Sequence, residues 1–136
     1  MRVLGFVVAC ALVGVLFGAC GITNPSSNST DTFSGVVSPG TQPGDARNLF
    51  TFIVNNNGGE YSATITALSP DTGATVGIAR GQMISNGCGI LEQTGLAGLN
   101  RTALSAPITK GTFCIEVFDN GLVARPETYT LSVSHP

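Results

Sequence analysis

Polar turns recur along this chain at short, fairly even intervals, and the segments between them alternate. "SPGTQPGD" (38–45), "NNNGG" (55–59), "SPDTG" (69–73), "SNG" (85–87) and "DNG" (119–121) are built from Pro, Gly, Asn, Asp and Ser. Each of these residues has a conformational reason to reverse a chain. Between them, Phe50, Phe52 and Val54 share one face of "NLFTFIVN", and Tyr61, Ala63, Ile65 and Ala67 share a face of "EYSATITAL". Phe113, Ile115 and Val117 alternate in "TFCIEVFD", and Tyr129, Leu131 and Val133 in "TYTLSVS". Val76 and Ile78 mark a weaker strand, and "DTFSGVV" (31–37) supplies the first. A period of two with β-branched and aromatic residues is the mark of a half-buried strand. No segment carries a sustained helical period with caps. The stretch 80–105, rich in Gly, shows no firm pattern.

Alternation leaves one wet face per sheet, which calls for antiparallel pairing. Many short strands at regular spacing pack as a sandwich or barrel. The expected fold is therefore all-β: an antiparallel, jelly-roll-like β-sandwich of about seven to nine short strands. Residues 31–136 are enough for one such domain with one core.

The N-terminus reads differently. After Met1 and Arg2, residues 3–19 carry no charge. That run is short for a membrane span, which needs about 20 apolar residues, and it suits a signal peptide. It ends on Gly18, Ala19 and Cys20, preceded by Leu16 and Phe17. This resembles the lipobox of bacterial lipoproteins, in which small residues precede an obligatory cysteine. The resemblance implies that 1–19 is removed and that the thiol of Cys20 takes a diacylglycerol. The new amino group is then acylated, and more than one chain makes such an anchor stable. Residues 20–30 then read as the lipidated cysteine and a flexible tether, since Asn, Pro, Ser and Thr leave little to bury. The expected location is the cell envelope, on the outer membrane or facing the periplasm. The membrane is then one partner, held through Cys20.

Of the four cysteines, Cys10 leaves with the signal and Cys20 carries lipid. Cys88 and Cys114 remain, and export to an oxidising space permits a disulfide between them. Closing that loop is worth about 3–4 kcal/mol on the chain-entropy model. A metal site is the rival reading, but two cysteines without a neighbouring His fall short of four ligands. Because strand side chains alternate, Cys114 is expected on the outer face with Glu116 and Phe118, pinning the irregular 80–105 stretch onto the late strand.

Within the body, "DTFSGVVSPG", "RNLFTFIV", "GGEYSATITALSPDTG", "ITKGTFCIEVFDNG" and "ETYTLSVSHP" follow one another. Together they resemble the bacterial pre-peptidase C-terminal domain. That resemblance implies a jelly-roll-like sandwich of secreted proteins, some relatives of which bind calcium or extracellular polymers.

Chemistry is thinly represented. Six Lys and Arg against eight Asp and Glu leave a net charge of −2, which offers no basic footprint for nucleic acid. The one histidine, His135, is penultimate, a position where a fixed catalytic imidazole is not expected. Glu60, Glu92, Glu116 and Glu127 are expected on the solvated surface. Asp31, Asp45, Asp71 and Asp119 lie in or beside turns and are the candidates for a calcium site, since hard cations take such oxygens; their alternative role is turn formation. Sugar platforms are disfavoured, because the chain has no Trp and both Tyr alternate with core residues. No catalytic residue and no other cofactor is expected. The reading is a non-catalytic envelope module that binds or supports an extracellular protein or polysaccharide. The alternative is a small envelope hydrolase.

Overall fold

A computed structural model describes residues 28–136. The segment 1–19, expected as a signal peptide, and Cys20, the expected site of lipidation, lie outside the described residues. Eight strands follow in order: β1 (Ser29–Val37), β2 (Asn48–Val54), β3 (Glu60–Ser69), β4 (Val76–Ile84), β5 (Gly87–Ala97), β6 (Thr102–Pro107), β7 (Gly111–Phe118) and β8 (Glu127–His135). No helix forms among the described residues. One sheet has the order β1-β8-β3-β6 and the other β2-β7-β4-β5, with every pair antiparallel. Successive strands cross repeatedly from one sheet to the other, which is the winding of a jelly roll.

The alternating residues meet between the sheets. Phe52, Val54, Tyr61, Ala63, Ile65, Ile78, Phe113, Ile115, Val117, Tyr129, Leu131 and Val133 all belong to one buried cluster. Aromatic rings tie the layers: Phe33 of β1 stacks on Phe50 of β2 at 4.8 Å, and Phe52 of β2 on Tyr61 of β3 at 6.5 Å. Offset rings at such distances add to the burial of their area.

Three details depart from the sequence reading. First, β1 begins at Ser29, so Ser29 and Thr30 belong to the sandwich and not to the tether; they pair with His135 and Ser134. Second, Ala67 is exposed and Leu68 is buried. A bulge between Ile65 and Ala67 resets the alternation there, as an extra residue in one strand must. Third, the stretch 80–105 is largely strand, holding the end of β4, all of β5 and the start of β6.

The two ends of the sandwich differ. At one lie the start of β1, the end of β8, the β2–β3 and β6–β7 loops and the β4–β5 hairpin turn. At the other lie the β1–β2, β3–β4, β5–β6 and β7–β8 loops.

Candidate functional site

Four polar clusters and one apolar feature stand out against this frame. Arg80 follows Val76 and Ile78 at the same parity of β4, so its side chain enters the core layer, where the residue is 8% exposed. A guanidinium buried so deeply needs partners. It lies 4.6 Å over the Tyr61 ring and 5.6 Å from that of Phe113. Its Nε donates to Glu92 Oε1 at 2.6 Å, and the Tyr61 hydroxyl donates to the same oxygen. Burial, then the neighbouring Glu92 carboxylate, pushes the Tyr61 phenol well above its ordinary range.

β8 alternates without a break: Glu127, Tyr129, Leu131, Val133 and His135 are all buried. Glu127 therefore stands at a core parity, and its Oε2 accepts the backbone N–H of Asp71 at 2.9 Å. Arg125 approaches its other oxygen at 3.5 Å. Asp71, Arg125 and Glu127 border an open groove of about 430 Å³. At the opposite end of β8, His135 packs against Phe52, with ring centroids 5.2 Å apart. Its Nε2 lies 3.1 Å from Asp31 Oδ2 and its Nδ1 lies 3.3 Å from the Pro136 carbonyl. A penultimate residue is thus fixed, contrary to the expectation from position, because β1 pairs with β8 as far as Ser29 and His135.

Asp119 and Asp45 share one corner, where the loop after β7 meets the loop after β1. The Gly44 N–H donates to the Asp119 carbonyl at 2.6 Å. The Asp119 carboxylate accepts from the N–H groups of Gly40 (2.8 Å), Gly121 (2.8 Å) and Val123 (3.3 Å). Burial works to raise this carboxyl, but the three donors together hold it below the ordinary carboxylate value. Asp45 Oδ2 accepts from the hydroxyl of Thr41 and from the N–H groups of Gln42 and Thr41, and these bonds hold its carboxyl low.

The calcium candidates are therefore not one cluster. Asp45 and Asp119 are neighbours whose carboxylates serve the turns around them. Asp31 stands on β1, and Asp71 follows β3, where Oδ1 accepts the Gly73 N–H at 2.9 Å. Among the described residues, no group of three or more His, Cys, Asp or Glu is gathered so as to hold a metal ion.

The placement of three glutamates corrects the expectation of solvated acids. Glu127 is 2% exposed. Glu92 is tied into the Tyr61–Arg80 cluster, and Glu116 pairs with Arg47 at 2.5 Å. The signal for Glu127 was its parity with Tyr129; for Glu116, only the fold brings Arg47 alongside.

Cys88 and Cys114 form a disulfide with Cα atoms 5.7 Å apart. Cys114 points away from the core side chains of β7, yet it is fully buried. The end of the β4–β5 hairpin covers it: β4 separates β5 from β7 in the sheet, and a bulge between Arg80 and Gly81 bends the hairpin across. Gly81 lies beneath the bridge. A side chain there would run into the Gly89 backbone and the Cys88 sulfur, so this crossing needs glycine. Beyond the crossing, the hairpin exposes Met83, Ile84, Ile90 and Leu91.

A scan against protein-family models gives no match, and no curated protein matches the chain.

Proposed function

We propose that this chain is a non-catalytic module of a bacterial cell envelope, related to the pre-peptidase C-terminal domains and held to a membrane through acylated Cys20. Its role is to bind or support an extracellular protein or polysaccharide. The observation that carries this reading is the Cys88–Cys114 bridge, closed over the sheet and buried by its own hairpin. Structural disulfides persist in oxidising compartments, which agrees with the apolar run ending at Gly18-Ala19-Cys20. The non-catalytic part rests on how the reactive groups are spent. His135 is packed between Phe52, the Asp31 carboxylate and the Pro136 carbonyl, and Glu92, Glu127 and Asp119 join strands and loops. The Asp45 and Asp119 carboxylates accept bonds from the loops around them, which supports turn formation as their role.

Expression in a bacterial host with an alkyne fatty acid tests the anchoring. Label is expected on the wild-type chain and lost in Cys20→Ser. An unlabelled wild-type chain, cut elsewhere than before Cys20, overturns it. Hydrolysis of ester, peptide or glycoside substrates that His135→Ala abolishes without unfolding the domain would favour the hydrolase instead.

A further inference from the structure

We infer that the end of the sandwich carrying the β4–β5 hairpin tip rests on the lipid surface, with Met83 and Ile84 entering the interfacial layer. This rests on the anchoring reading above. The argument starts from where the tether meets the fold. Asn28 is fixed by its side-chain amide, which donates to the Glu60 carbonyl and to Ser134 Oγ, both at 3.3 Å. That places the entry of the chain at the end of the sandwich formed by Ser29, His135 and Glu60. The β4–β5 turn lies at this same end. β4 runs antiparallel to β7 with Gln82 opposite Phe113, so Ile84 comes level with Gly111, the first residue of β7. The start of β7 in turn pairs with the end of β2, Val54 opposite Gly111.

The distance is short. Between Cys20 and Asn28 the chain can span no more than about 30 Å fully extended. An acyl anchor at Cys20 therefore holds this end within about 30 Å of the bilayer.

The tip is built for such a contact. From Gly81 to Leu91 the sequence "GQMISNGCGIL" carries no charge, and the charges on either side, Arg80 and Glu92, neutralise each other inside the fold. At the turn Ile84 is 55% exposed with the exposed Met83 next to it, and Ile90 and Leu91 are exposed further along β5 of the same hairpin. Exposed apolar groups on one uncharged hairpin mark a contact surface. The disulfide holds the hairpin in place, so its apolar residues are presented without a loss of chain freedom on contact. A soluble protein partner or a second copy could cover the same residues, but neither is brought to this end by the chain itself, as lipid is.

The chain has no Trp, so single tryptophans report without background. Met83→Trp, Ile84→Trp and, at the far end, Leu122→Trp are made in the full acylated protein. Each is reconstituted into phosphatidylethanolamine/phosphatidylglycerol vesicles whose acyl chains are brominated. The expected result is a blue shift and several-fold stronger quenching at 83 and 84 than at 122. Equal quenching at both ends, with acyl mass present on Cys20, overturns the inference and leaves the anchoring intact. A blue shift at 83 and 84 without quenching, in protein that sediments as a dimer, assigns the tip to a second copy and also overturns it. Absence of acyl mass on Cys20 removes the anchoring reading, and the inference falls with it.

Discussion

Arg80 Nε meets Glu92 Oε1 at 2.6 Å inside the sandwich, with the guanidinium laid over the ring of Tyr61. The pair joins β4 to β5, and the Tyr61 hydroxyl carries the connection into the opposite sheet. A charge held this way is costly to leave alone. Glu92→Gln is expected to lower stability by about 2–3 kcal/mol, less than the full penalty for a buried pair because Glu92 retains some solvent. Replacing both partners, Arg80→Met with Glu92→Leu, should recover most of that loss. Denaturant midpoints at unchanged slope would show it; a double variant no better than the single one would mean that packing, not charge, is at stake.

Removing the bridge tests what the core can do alone. Cys88→Ser with Cys114→Ser is expected to cost about 3 kcal/mol. Gly81→Ala should cost about 1–3 kcal/mol with the bridge intact, because the new methyl group meets backbone and not a movable side chain. Thermal unfolding of the three proteins under oxidising conditions separates the two effects. A Gly81→Ala protein of wild-type stability would contradict the crossing described here.

Acid should loosen the corner where Asp45 meets Asp119. Both carboxyls are held below their ordinary value of 3.8 in the fold. A depressed folded-state pKa gives stability that is present above the unfolded value and is lost as pH falls through the folded one. Melting temperature is therefore expected to drop below about pH 5 and to keep falling through pH 3. Asp119→Asn should be less stable at neutral pH and show a shallower acid limb. An acid limb as steep as in the wild type would place the titrating groups elsewhere.

The tyrosines set the alkaline limit. Burial pushes Tyr129 up to about 12 and Tyr61 higher still. Among the described residues the buried Tyr129 hydroxyl makes no hydrogen bond, and the neighbouring Asn48 amide donates to the Val36 carbonyl. A raised phenol pKa gives stability that is complete below the unfolded value near 10 and is lost as pH rises through the folded one. Tyrosinate absorbance is expected to appear late and together with loss of the fold. Reversible ionisation of either ring near pH 10 in folded protein would contradict this burial.

Much of this architecture could be read from alternation. The segments around Phe50, Tyr61, Val76, Phe113 and Tyr129 form strands at the places their pattern marks, because each has one face turned to the core. β5 escaped notice for a physical reason. It is an edge strand with Gly87, Gly89 and Gly95, and two bulges break its match with β4. Its conformation comes from pairing and from the disulfide more than from its own side chains. The buried acids were harder to read. Parity puts Glu127 beside Tyr129 and Arg80 beside Ile78, but a charged residue at a core position is credible only once its partner is known. Asp71 and Glu92 are those partners, and Asp71 is distant in sequence.

The pairing of β1 with β8 also decides how the module bears a load. All nine residues of β1, from Ser29 to Val37, face β8 in unbroken register. A pull arriving through Asn28 along the strand axis strains the whole ladder in shear, so no single hydrogen bond can fail alone. A pull at right angles instead peels the ladder from Ser29, one pair at a time. The fold is thus mechanically strong in one direction and weak in the other.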